Sequence, residues 1–378
     1  MKDSSQIPTA RDKLLFTPGP LTTSLTVKQA MLRDAGSWHY EFNAIVKSVR
    51  ERLVTLAGHA PASGWEAILL QGSGTFGVES VLATIIPPNG KLLVLVNGAY
   101  GERIVQMAQY LKISHTALRT AEDAPPDPDA VELALANDAS ITHVACVHCE
   151  TTTGILNPIA EVGRIVKQHR RVYIVDAMSS FAAVPIDFAS AGIDYLISSS
   201  NKCIEGVPGF SFILCRRADL MATEGSARSL SLDLLAQLRG FDKNGQFRYT
   251  PPTHVILAFD QALKELEQEG GVLARAARYR RNHQVLVDGM GQLGFRLFLD
   301  PKVQSYIITG FHYPADQKFS FGEFYTRLSD KGFIIYPGKL TQVNTFRIGT
   351  IGRIFESDIR SLLSAVGETI NEMGVTDS

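Results

Sequence analysis

The chain has 378 residues, 45% of them hydrophobic and 20% charged, with a formal net charge of −1. Such length and apolar content support a large core and more than one domain, and the near-neutral balance, with no block of like charge, excludes a nucleic-acid arm or an acidic tail. Apolar runs are too short for a membrane span, the opening MKDSSQIPTARDK lacks the apolar region of a secretory signal, and four cysteines do not make a disulfide framework, so a cytoplasmic protein is expected.

From about residue 66 to 215, short apolar runs alternate with helix-length segments. That rhythm predicts an α/β architecture with a mainly parallel sheet. The first predicted strand, 67–70, runs into QGSGTFGVES and a helix predicted over 77–85. Gly72, Gly74 and Gly77 satisfy G-x-G-x-x-G. Backbone N–H groups at such a helix start, helped by the hydroxyls of Ser73 and Thr75, form an anion site for a phosphate. A dinucleotide fold also needs an acidic residue roughly 20 positions further on, at the end of the second strand. Here that strand, 91–97, ends in Asn97. The pattern therefore reads as a phosphate monoester site, with a plain tight turn as the bland alternative. Tyr100 follows in VNGAYGERIVQ, ahead of a helix predicted over 102–110.

Residues 121–129, rich in Pro and Asp, read as a loop. The strand predicted over 141–148 leads through Cys146 and Cys149, a C-x-x-C, into HCETTTG. A zinc site would want a second pair at metal-ligand spacing, which Cys203 and Cys215 do not provide. A redox pair would open a helix rather than close a strand. Ordinary reduced cysteines and no metal are expected. A helix over 159–169 comes next, and then the strand 172–176 places Asp176 at its carboxyl end, where open α/β sheets bind ligands. A carboxylate there needs a cation or several donors: it can be a cap, a magnesium ligand or the counter-ion of a protonated heterocycle.

Lys202 lies just beyond the strand 195–198, in YLISSSNKCIEGVPGF, amid small polar residues and turn formers. A buried lysine is costly unless its charge is paired or removed. Near a cationic ring it can lose its proton and form a Schiff base. Taken singly, each of these residues is more often structural. Together, three strand ends carrying a phosphate turn, an aspartate and a lysine describe a holder for pyridoxal phosphate. The phosphate would sit on the glycine turn, the ring nitrogen on Asp176 and the aldehyde on Lys202. Tyr100 could stack on the ring, and Thr151 and Thr153 could reach its phenolic oxygen. After the strand 210–215 and about residue 275 the texture changes: ARAARYRRNHQVLVDGMGQLGF predicts a long basic-faced helix ended by glycine, and a further helix is predicted over 321–331.

These motifs resemble the fold-type I, class V pyridoxal-phosphate aminotransferases over nearly the whole chain. The resemblance runs through LLFTPGPLTTS (14–24), LLQGSGTFGVE (69–79), VNGAYGER (96–103), HCETTTGILNPI (148–159), YIVDAMSSF (173–181), DYLISSSNKCIEGVPGF (194–210), RSLSLDL (228–234), YTPPTH (249–254) and YPGK with FRIGTIG (336–352). It implies an N-terminal segment, 1–30, packing on a small domain. It further implies a large cofactor-binding domain, 31–274, with a mainly parallel sheet of seven-stranded type, and a small C-terminal α+β domain, 275–378. Carried over, Lys202 bears the cofactor and Asp176 faces its ring nitrogen. Tyr100 stacks, Ser73, Gly74 and Thr75 hold the phosphate, and Thr151, Thr153 and Asn201 complete the pocket. Thr253, with Thr250 beside it, matches a threonine that reaches the phosphate from the partner subunit, so a homodimer with shared active sites is implied. Arg347 matches the arginine that fixes the substrate acid, and Trp38 lies in the segment that lines the entrance.

SSSNKCIEGVPGF and RSLSLDL resemble the phosphonate branch of that family, whose reaction moves the amino group of 2-aminoethylphosphonate to pyruvate. Small-molecule substrates are implied, with neither nucleic acid nor membrane as a partner. One stretch departs from that branch: GSWHYEFNAIV (36–46) has His39 and Tyr40 after Trp38 where a more acidic stretch is the pattern. Alternatives are a class V transaminase of another small donor, of the alanine–glyoxylate or serine–pyruvate type, or a related lyase. From other classes come a nicotinamide-binding protein, which lacks its ribose acid here, and a non-catalytic α/β binding protein, which has no use for Asp176 and Lys202 together.

Overall fold

A computed structural model describes residues 12–339 and 343–376. Of the N-terminal segment expected over 1–30, residues 1–11 lie outside the described residues. A seven-stranded sheet runs in the order Trp65–Gln71, Phe210–Arg216, Tyr195–Ser199, Val172–Asp176, Ile141–Val147, Lys91–Val96, Ser114–Arg119. The five strands from Tyr195–Ser199 to Ser114–Arg119 are mutually parallel, and Phe210–Arg216 runs antiparallel to both its neighbours. Strands such as Val172–Asp176 and Tyr195–Ser199 are buried almost throughout, as continuous apolar runs covered on both faces must be.

One strand escapes the apolar pattern. Ser114–Arg119, of sequence SHTALR, forms the sheet edge, where one row of backbone groups and much of its side-chain surface meet solvent. Its two apolar residues carry no readable periodicity. Within the expected loop 121–129, Asp127 caps a helix that starts at Pro128 and runs to Asn137. Proline at a first helical turn loses nothing, because that N–H has no intrahelical partner.

The strand order positions the site. From Lys91–Val96 the chain moves outward to the edge strand, then returns to lay Ile141–Val147 on the other side. The winding reverses between these two strands, so the connections leaving their carboxyl ends diverge and open a crevice.

A second apolar core gathers Phe16, Leu286, Phe311, Phe324, Phe346, Ile359 and Leu362. It lies between a three-stranded antiparallel sheet, Ile308–His312, Thr345–Gly349 and Tyr336–Pro337, and the helices Gly271–Gln292, Phe321–Asp330 and Glu356–Met373. The N-terminal segment joins it: Leu14–Leu15 pairs in parallel with Phe333–Ile334. Where the Gly271–Gln292 helix meets the first body, charges are buried in compensating sets. Glu205 accepts from Arg278 Nη2 and from the Tyr279 hydroxyl, both at 2.6 Å, while Arg275 donates to the carbonyl of Cys203 at 2.6 Å and to Glu269. Among the described residues, no helix is long and apolar enough to cross a membrane, and no group of three or more His, Cys, Asp or Glu side chains could hold a metal ion.

Candidate active site

The carboxyl ends of the parallel strands converge on a cavity of about 180 Å³. Its lining includes Ser73, Gly74, Thr75, Tyr100, Thr151, Asp176, Asn201 and Lys202, residues spread over 130 positions of sequence. Each arrives from a strand end, the turn that follows it or the first turn of the next helix.

The glycine turn leaves the Trp65–Gln71 strand through Gly72, at φ +112°, and enters the helix Gly74–Ile85 with Ser73 as N-cap. The Ser73 hydroxyl makes no capping bond, so the first-turn N–H groups stand without a side-chain acceptor. Gly74 is small for a local reason: a Cβ there would meet the Met178 sulfur at 2.2 Å. The helix begins three residues before the expected position 77, because Gly74 already adopts helical backbone.

Asp176 ends its strand 7% exposed, and its Oδ1 accepts from Met178 N at 2.9 Å. Burial pushes its pKa up to about 6, against the opposing pull of that hydrogen bond and of the Lys202 and Arg103 cations. Lys202 moves the other way. Its burial pulls the pKa below the usual lysine range, and Nζ donates at 2.6 Å to a neutral carbonyl, that of Pro18. The serines before it shape its turn: Ser199 Oγ donates to Asn201 Oδ1 at 3.1 Å, and Ser200 Oγ to Val207 O at 2.6 Å.

Thr151 lines the cavity, whereas Thr153 does not. The Thr153 hydroxyl is folded into the turn, accepting from Ile155 N at 3.3 Å and donating to Glu150 O at 3.5 Å. Arg347 is 2% exposed and sits behind Thr151, donating to that residue's carbonyl and, at 2.9 Å, to Pro337 O. Both partners are neutral, and burial lowers the pKa of the guanidinium. Trp38 is 81% exposed and outside the lining. Thr250 and Thr253 also lie outside it. Gln71, just before the glycine turn, donates to the carbonyls of Tyr249 and Thr250 at 2.9 and 3.1 Å, and Thr253 opens the helix Thr253–Glu269. The four cysteines are unpaired and buried, and burial pushes the Cys146 and Cys149 thiols up to about 12.

The model of the family described as aminotransferase class-V matches residues 24–326. The chain belongs to the class-V aminotransferases. Curated relatives agree over nearly full length. A 2-aminoethylphosphonate–pyruvate transaminase of Klebsiella pneumoniae is 53% identical over 360 residues, 95% of this chain and 98% of that one. Another of that name, from Syntrophobacter fumaroxidans, is 51% identical over 96% of this chain and 97% of its own length. Among solved structures, ureidoglycine–glyoxylate aminotransferase from Bacillus subtilis aligns with a TM-score of 0.89 at 21% identity, covering 99% of this chain and 96% of that one. Pyridoxamine–pyruvate aminotransferase from Mesorhizobium loti aligns at 0.88 and 22%, over 98% and 95%. These two likenesses bear on the fold alone.

In this class-V aminotransferase a further cation borders the cavity that the motifs did not single out. Arg103, one helical turn after Tyr100, donates to Thr75 Oγ1 at 3.2 Å and lies 4.9 Å from the centre of the Tyr100 ring. The signal was present in GAYGER, since positions three apart share a helix face. Which face looked into the cavity was not readable there.

Proposed function

We propose that this class-V aminotransferase is a pyridoxal-phosphate enzyme that moves the amino group of 2-aminoethylphosphonate to pyruvate, giving phosphonoacetaldehyde and alanine, and that it works as a homodimer. The observation that carries the reading is the opposite tuning of two groups in one cavity. Desolvation drives a half-buried lysine, whose Nζ donates to the neutral Pro18 carbonyl, toward the free amine, and it drives a buried aspartate toward holding a proton. The donor and acceptor follow the printed names of relatives just over 50% identical across nearly the full chain.

The residues suit pyridoxal phosphate. Uncapped first-turn amides and the Ser73 and Thr75 hydroxyls fit a phosphate, and Arg103 adds a cation beside Thr75. Tyr100 would cover a ring face, Thr151 and Asn201 would supply polar contacts, and Asp176 would hold a proton at the ring nitrogen. When bound, the cofactor supplies an aldehyde to take up the amino group and a ring that withdraws electrons. Lys202 would hold it there, then take a proton from the donor's α-carbon and return it at the far end of the transfer, acting as base and acid in turn. Arg347 would bind the phosphonate of the donor and the carboxylate of pyruvate in alternation, since a guanidinium fork pairs with either. Thr250 and Thr253 would complete the phosphate site of a second copy, and Trp38 would stand at the mouth.

Two measurements test this. The purified protein incubated with pyridoxal phosphate and then desalted should retain a visible absorbance band. A screen of amino donors against pyruvate, read as alanine formed, should give 2-aminoethylphosphonate the highest kcat/KM. A protein that is colourless once free cofactor is removed overturns the cofactor reading, and preference for another donor overturns the substrate.

A further inference from the structure

Glu150 is fully buried, and nothing in the reaction proposed above uses it. It belongs to HCETTTG but points away from the role given to its neighbours. Each carboxylate oxygen accepts two hydrogen bonds. Oε1 takes the Thr152 N–H at 3.1 Å and the Thr152 hydroxyl at 2.5 Å. Oε2 takes the N–H groups of Tyr100 and Gly101 at 3.1 and 3.3 Å. The Thr152 hydroxyl in turn accepts from Ala99 N at 3.1 Å.

These bonds do for the helix Ala99–Tyr110 what its own sequence cannot. Its N-cap residue, Gly98, has no side chain to accept the first-turn N–H groups. The acceptors come instead from a segment 50 residues further on, and they satisfy the amides of Ala99, Tyr100 and Gly101 in succession. Gly98 is what lets them in: a Cβ there would lie 2.4 Å from Glu150 Cγ and 2.5 Å from Cδ. A negative charge at a helix N-terminus is also favoured by the helix dipole.

The geometry points to Glu150 as a positioning residue that holds Tyr100, and with it Arg103, in place at the cofactor cavity. This rests on the pyridoxal-phosphate reading above. Three backbone N–H groups and the Thr152 hydroxyl point at the carboxyl group, an arrangement an ionised carboxylate accepts in full, and these bonds oppose the burial that pushes the Glu150 pKa up. A glutamine cannot replace it. Turned either way, its NH2 group faces N–H donors, and the start of the helix or the Thr152 turn is left unsatisfied.

The experiment titrates cofactor-free wild type, Glu150→Gln and Thr152→Val with pyridoxal phosphate. It reads the dissociation constant and the circular dichroism of the visible band, with thermal unfolding of each cofactor-free protein alongside. Glu150→Gln should bind the cofactor about tenfold or more weakly, the order expected for one buried donor left unpaired, and its dichroic band should shrink as Tyr100 loses its fixed place. Thr152→Val keeps the carboxylate and should change both in the same direction by less, which serves as the test should Glu150→Gln fail to fold. Lowered thermal stability with an unchanged dissociation constant and an unchanged band, in whichever variant folds, overturns the inference. Absence of any cofactor binding by wild type overturns the functional reading instead.

Discussion

Lys202 Nζ donates at 2.6 Å to the carbonyl oxygen of Pro18, a residue 184 positions earlier in the chain. The next residue, Gly19, packs so closely that a Cβ on it would lie 2.7 Å from Lys202 Cδ. The N-terminal segment thus roofs the lysine with a neutral acceptor. A carbonyl orients an amine without compensating a full positive charge, so burial lowers the lysine pKa.

If Lys202 holds the cofactor, borohydride reduction of the loaded protein should remove the visible colour and leave a mass adduct on the peptide containing Lys202. Lys202→Ala should take up no adduct. Modification of wild type at another lysine, with Lys202 unmodified, sinks this assignment.

Asp176 has a stability consequence that can be read without the reaction. Its folded-state pKa of about 6 lies above the ordinary 3.8. Between those values the folded protein binds more protons than the unfolded one, so stability falls as pH rises through that window. Asp176→Asn should therefore stabilise the cofactor-free protein at pH 8 by about 3 kcal/mol, with the gain vanishing below about pH 4. Turnover should fall on the order of 10² to 10⁴-fold, because the ring nitrogen loses its anionic partner. Thermal unfolding across this pH range checks the first half and steady-state kinetics the second. A variant of near-normal activity shows that the carboxylate is structural.

For Arg347, the question is whether one guanidinium serves both substrates. Arg347→Lys should retain cofactor colour and folding yet lose kcat/KM in both half-reactions, since an ammonium cannot make a two-pronged contact. Arg347→Ala should lose about 2 to 4 kcal/mol of transition-state binding. Single-turnover absorbance follows the donor and pyruvate halves separately. A loss confined to pyruvate means that the phosphonate is held elsewhere, and Trp38 to Glu41 is the first segment to vary.

Sharing of sites between subunits is tested at Thr253. Thr253→Ala should weaken cofactor binding although Thr253 does not line the cavity of its own chain. Mixing it with inactive Lys202→Ala should restore activity through mixed dimers carrying one intact composite site. Unaltered affinity in Thr253→Ala, with subunit exchange demonstrated, rules out the contact across the dimer.

Arg103 offers a last check on the phosphate end of the cavity. Arg103→Met should raise the dissociation constant for pyridoxal phosphate more than that for pyridoxal, because only the former carries the anion. Equal weakening of both would assign Arg103 to the Tyr100 ring rather than to a phosphate.

The residues legible in the sequence share one property: their role follows from what adjoins them in the chain. An apolar run that breaks into glycines, an aspartate closing a strand and a lysine in a serine turn each carry a local signature. In a parallel sheet all such strand ends point the same way, so Gly74, Asp176 and Lys202 could be placed in one site before any coordinate was known. The edge strand Ser114–Arg119 was not legible, because a half-exposed strand of mixed polarity lacks the apolar run that marked its neighbours. Nor could local pattern separate Thr151 from Thr153, two hydroxyls in one turn of which only the first lines the cavity. Pro18 above Lys202, Arg103 beside Thr75, and Glu150 capping a helix 50 residues earlier are decided by tertiary structure alone. A buried donor must find an acceptor, but the chain does not say which distant segment will bring one. That choice is made only when the strands, in their reversed order, bring their carboxyl ends to one crevice.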